Sequence, residues 1–175
     1  SPLRGLTGMK VLNISAEAMG PDLRWMSGMS QLTSITITAG KNLVSFEGIP
    51  SLPNLTRASF DMGEPKDLTP LVTALPGLKE LHLKYATLSD LAPLAKLADL
   101  EVLDFYGARL SSFAPLAGCP KLRKLDYYAT KDADYSTLGE LTQVSVLEGG
   151  LTKLEDISWL AKLPNLKEFR LFAEA

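Results

Sequence analysis

Four side chains able to carry charge or move a proton return at one fixed interval. His82, Asp104, Asp126 and Glu148 stand 22 residues apart from one to the next. Tyr106 and Tyr128 keep the same interval, and Lys84 and Lys124 each lie two residues from a member of the series. Such groups suit several chemistries, and each meets an objection in the sequence. Glycoside hydrolysis needs two carboxylates across a cleft, whereas Asp104 and Asp126 occupy equivalent places and face the same way on an open surface. Covalent catalysis by a Cys–His pair needs the two together. The only histidine is His82, and the only cysteine, Cys119, shares its place with Leu75, Leu97, Leu141 and Leu163, a core position. A cation held by the three acids would want about six oxygens from a wrapped site. Without one, each like-charge contact between neighbouring strands costs only about 1 kcal/mol in water, and Lys84 and Lys124 offset it. No phosphate-binding loop of the G-x-x-x-x-G-K or G-x-G-x-x-G type is present. These residues therefore predict no catalytic group, no metal and no cofactor. Aromatic rings beside fixed charges are instead the chemistry of a protein contact surface.

The interval itself is set by the elements that carry these residues. The pattern L-x-x-L-x-x-L-x-L fits 6–14, 29–37, 52–60, 75–83, 97–105, 119–127, 141–149 and 163–171. Its first strand position falls at Leu12, Ile35, Ala58, Leu81, Leu103, Leu125, Leu147 and Phe169, with steps of 23, 23, 23, 22, 22, 22 and 22. Within each copy the x-L-x-L-x segment alternates, which is the period of a strand with one face buried. A turn follows, then a stretch such as "DLAPLAKL" whose Leu spacing of three suits a short helix or 3₁₀ turn. One copy cannot bury its apolar side alone, but stacked copies close a continuous core. Asp22, Ser45, Asp67, Asp90, Ser112, Asp134 and Asp156 precede the short helices as expected caps. Pro70, Pro93 and Pro115 fall in the first turns, where no N–H is required.

With "LPGLKELHLKYATLSDLAPLAKLADLEVLDF" and "LTKLEDISWLAKLPNLKEFRL" in view, the chain resembles the leucine-rich repeats, specifically the 22-residue bacterial internalin type. The resemblance covers essentially all 175 residues. It implies an α/β, right-handed leucine-rich-repeat solenoid with about eight parallel strands on the concave face and short helices or 3₁₀ turns on the convex face. It also implies that partners bind the concave face. Residues 1–175 are read as a single leucine-rich-repeat domain, excerpted from a longer chain because no initiator Met or cap is visible.

The sequence departs from the family in three places. The turn position that usually holds Asn reads Glu17, Gly40, Gly63, Ala86, Ala108, Thr130 and Thr152, which predicts irregular coils there. Asp132 stands where other copies have Leu88, Leu110 and Leu154. Gly149-Gly150 falls inside a strand, which predicts a distorted seventh copy.

Composition narrows the partner. Apolar residues make up 46% and charged residues 22%, which suits a folded soluble chain. The net charge of −2, with no basic run, gives no general attraction to nucleic acid or anionic membrane. No apolar run approaches the ~18 residues a spanning helix needs, and one cysteine excludes an internal disulfide. The expected function is non-catalytic capture of another protein. The N-terminal strands present small neutral groups (Asn13, Ser15, Thr36, Thr38, Ser59), so the contact is expected at His82, Lys84, Asp104, Tyr106, Lys124, Asp126, Tyr128 and Glu148. The alternatives are a structural spacer or targeting arm, and a carbohydrate surface on which the tyrosines stack sugar rings. The apolar C-terminal coil, with Leu166, Phe169 and Leu171, would also permit end-to-end self-association.

Overall fold

The computed structural model describes residues 5–15, 22–40, 43, 45–62, 65, 67–84, 88–129, 133–151 and 156–173. Eight strands form one parallel sheet in sequence order: β1 (Val11–Ser15), β2 (Ser34–Gly40), β3 (Arg57–Met62), β4 (Glu80–Lys84), β5 (Val102–Ala108), β6 (Lys124–Ala129), β7 (Val146–Leu151) and β8 (Glu168–Ala173). The pairing register is the sequence repeat made visible. Leu12 pairs Ile35, Ile35 pairs Ala58, Ala58 pairs Leu81, and the series runs on through Leu103, Leu125 and Leu147 to Phe169. One repeat is therefore one step across the sheet, as in a leucine-rich-repeat solenoid.

Alternation decides which side is buried. Ile35, Ile37, Ala58, Phe60, Leu81, Leu83, Leu103, Phe105, Leu125 and Tyr127 are all essentially inaccessible, and the residues between them face outward. Fully burying one such side chain stabilises the fold by roughly 1.5–3 kcal/mol. Backbone groups at the strand entrances are satisfied coil to coil. Thr33 N–H donates to Lys10 O, Thr56 to Thr33, Lys79 to Thr56, Glu101 to Lys79, Arg123 to Glu101, Ser145 to Arg123 and Lys167 to Ser145. A buried amide left without a partner would be costly, so this column of bonds fixes the stacking as firmly as the leucines do.

Opposite the sheet lie one α-helical turn, α1 (Thr69–Ala74), and 3₁₀ turns at Arg24–Met26, Ala92–Lys96, Ala114–Gly118, Tyr135–Glu140 and Ser158–Lys162. All seven expected capping residues accept a backbone bond from the residue two places on. Asp22 takes Arg24 N–H, Ser45 takes Glu47, Asp67 takes Thr69, Asp90 takes Ala92, Ser112 takes Ala114, Asp134 takes Ser136 and Asp156 takes Ser158, at 2.7–3.1 Å. Most of these turns start one residue later than the sequence suggests, so the acid or serine closes a small side-chain turn ahead of the helix.

β7 shows none of the distortion expected of the seventh copy. β7 runs straight through Gly149 and Gly150 and keeps its register with both neighbours. The glycines are there because two tyrosine rings from β6 lean over them. A Cβ on Gly149 would sit 2.5 Å from Tyr127 Cζ, and one on Gly150 would sit 2.6 Å from Tyr128 Cε1. The irregularity expected at the turn column does occur where it is described. The β2–β3 register shifts between Thr38 and Gly40, and the β5–β6 register between Tyr106 and Ala108. Glu17, Gly63, Ala86, Thr130, Asp132, Thr152 and Leu154 lie outside the described residues. At the last strand Leu166, Phe169 and Leu171 are half-buried, and Trp159 packs edge-on against Phe169 at 6.0 Å.

Candidate functional site

Register places one predicted column in a row across the sheet. His82 pairs Asp104, Asp104 pairs Asp126, Asp126 pairs Glu148, and Glu148 pairs Arg170. A second row two residues further along holds Tyr106, Tyr128, Gly150 and Phe172. Lys124 lies on the near side of Asp126 in its own strand. Lys84 is exposed at the end of β4, opposite Asp61, and β4–β5 pairing ends before it at Leu83 and Phe105. It therefore borders the cluster without bonding into it. The other seven predicted residues share one continuous surface.

The acid row has partners at its two ends. His82 Nδ1 lies 3.1 Å from Asp104 Oδ2. Glu148 Oε1 receives Arg170 Nη1 at 2.8 Å and lies 3.6 Å from Lys124 Nζ. Arg170 also pairs with Glu168 on its own strand. Asp126, in the middle, makes no hydrogen bond and no ion pair among the described residues. Its Oδ1, like Asp104 Oδ1, is buried without a partner. Burial raises the Asp126 carboxyl above the usual carboxylate range. Asp104 and then Glu148 push it further, and Lys124 and His82 offset only part. No three His, Cys, Asp or Glu among the described residues gather in a way that would hold a metal ion.

The aromatic row is ordered by contact. Tyr106 and Tyr128 stack at 4.8 Å between centroids with 14° between planes. Tyr128 and Phe172 are parallel to within 14° at 6.4 Å. Tyr128 reaches Phe172 because Gly150, between them in the row, leaves room for its ring. Rings stacked this way across a sheet turn their faces toward each other. The Tyr106 hydroxyl is pushed up to about 12 by burial and then by Asp126 and Asp104, so it is a protonated donor throughout the physiological range.

Two members of the surface escaped the sequence prediction. Arg170 and Phe172 fall in the same two columns as the predicted residues, one repeat beyond Glu148 and one step past Gly150. Elsewhere on the molecule, an open hollow of about 420 Å³ between Gly48–Ser51 and α1 is lined by Asp67, Thr69 and Thr73. Asp67 and Thr73 already bond within their own turns. Cys119 is buried in the core as expected, and its Sγ–H donates to Leu94 O at 3.2 Å.

By sequence, no family model matches this chain and no curated protein matches it. By structure, it is similar to an internalin (inlF) of Listeria monocytogenes, with a TM-score of 0.68 and 23% identity over 96% of this chain. The chain spans 62% of that neighbour's length. It is also similar to internalin C2 (inlC2) of the same organism, with a TM-score of 0.63, 23% identity, and coverage of 91% of this chain and 73% of the other. The leucine-rich-repeat domain of the type III effector XopL gives a TM-score of 0.63 at 18% identity, covering 95% of this chain and 70% of the other. The fold is thus an internalin-like leucine-rich-repeat solenoid. Among the described residues no helix is long and apolar enough to cross a membrane.

Proposed function

We propose that the protein is a non-catalytic recognition module that binds another protein on the concave strand face, around Asp126 and the Tyr106–Tyr128 stack. One observation carries this reading. The row from His82 to Arg170 and the row from Tyr106 to Phe172 bring charge, hydroxyls and aromatic surface together on adjacent strands, while β1–β3 present mainly small neutral groups. Interface anchors are enriched in this combination. The carbohydrate alternative is weaker, because sugar stacking needs open ring faces and both faces of Tyr128 are turned to its neighbours. The spacer alternative predicts no contact on this face. A photo-crosslinking residue in place of Tyr128 should trap a discrete protein from extracts of the source cells, and the same residue in place of Ala161 on the opposite side should not. Equal trapping at both positions, or none at Tyr128, would count against the proposal.

A further inference from the structure

Resting on that reading, we infer that the partner inserts a basic side chain, an arginine or lysine, over Asp126 at the centre of the acid row. The ends of the acid row already have partners, and Lys84 lies at its border without bonding into it. His82 serves Asp104, while Lys124 and Arg170 serve Glu148. Asp126, in register beside Asp104, is only partly buried and makes no hydrogen bond or ion pair among the described residues. Adjacent carboxylates whose central member has no ion pair favour a positive partner. A guanidinium suits the place better than an ammonium. Its planar fork can donate to carboxylates on adjacent strands, roughly 4.8 Å apart. The Tyr106–Tyr128 stack lies in the next row and would pack the aliphatic stem. Binding would bring Asp126 an ion-pair partner that no described residue supplies, so recognition and relief of like-charge repulsion coincide.

The experiment is selection from a displayed random peptide library on three immobilised proteins: the native chain, Asp126→Asn, and Tyr106→Ala/Tyr128→Ala. Enrichment on the native chain of peptides with a fixed Arg or Lys, and a tenfold or greater loss on Asp126→Asn, is the expected result. Replacing the fixed Arg of a selected peptide by citrulline, which keeps the shape and removes the charge, should lose as much. Peptides that fail on the tyrosine variant but carry no basic residue and ignore Asp126→Asn would overturn this inference while leaving the concave-face proposal standing. Peptides indifferent to both variants would overturn the two together. Native-state titration with calcium or magnesium chloride closes the other route: saturable shifts of the Asp104 and Asp126 carboxyl resonances would assign the site to a metal ion and overturn the inference.

Discussion

Gly149 offers the sharpest test of how coils six and seven are fitted together. Gly149→Ala adds one methyl group at a point 2.5 Å from Tyr127 Cζ, 2.6 Å from Cε1 and 2.9 Å from Cε2. The ring cannot retreat. It is fully buried, with Phe113 at 5.0 Å, Tyr135 at 6.2 Å and Phe105 at 6.5 Å between centroids. Overpacking of this kind costs typically ~1–3 kcal/mol. A boxed aromatic belongs in the upper part of that range, and Ala recovers about 0.5–1 kcal/mol over Gly through reduced backbone entropy. The net loss should be about 1–2 kcal/mol, which lowers Tm by roughly 2–8 °C in a chain of this size. Because each coil contacts only its neighbours, amide exchange should accelerate first in β6, β7 and β8. Thermal melts and exchange of native, Gly149→Ala, Tyr127→Leu and the double variant form a cycle. In the Tyr127→Leu background the added methyl enters the space vacated by the ring, so Gly149→Ala should cost nothing or stabilise. That gives a coupling of at least ~1 kcal/mol. A Gly149→Ala protein as stable as the native one, or a cycle with no coupling, would refute the packing argument.

Three further outcomes follow from the same geometry. Gly150→Ala should leave stability nearly unchanged, because the half-exposed Tyr128 ring can swing outward, yet it should weaken peptide binding by displacing that ring from Tyr106 and Phe172. Asp126→Asn should melt higher than the native protein at neutral pH, with the difference closing in acid. A carboxyl whose folded pKa is raised weighs nothing below its unfolded value and destabilises progressively as pH rises through the folded one. An Asp126→Asn protein that melts lower at neutral pH would contradict this. Ser112→Ala removes the acceptor for Ala114 N–H and should cost about 1 kcal/mol, the worth of one hydrogen bond, read as a fall in the denaturation midpoint at constant slope.

The ladder was legible because one side-chain type, leucine, recurs at a period equal to one coil. Leu81, Leu103 and Leu125 are registered in the sheet as they are in the sequence, and the seven capping residues follow from the same count. The acid row was legible for the same reason: residues one period apart must be strand neighbours. Two features were not. Which partner each charge takes depends on how long side chains bend over the sheet, so periodicity alone does not commit Lys124 and Arg170 to Glu148 and leave Asp126 alone. The glycine pair predicts distortion because strand glycines often mark a bulge or bend, whereas Gly149 and Gly150 answer two tyrosines placed 22 residues earlier. That match of large against small appears only once the rings are seen to lean toward β7.

The central claim is that the groups from His82 to Arg170 form one contact surface for a partner. Mapping amide and carboxyl shifts of the labelled protein on addition of a selected Arg-containing peptide tests it most directly. The predicted result is a narrow band of perturbation at residues 82, 104, 106, 126, 128, 148 and 170, crossing β4 to β8, with the 3₁₀ turns on the opposite side unmoved. Perturbation centred on those turns, or on β1 and β2, would contradict it.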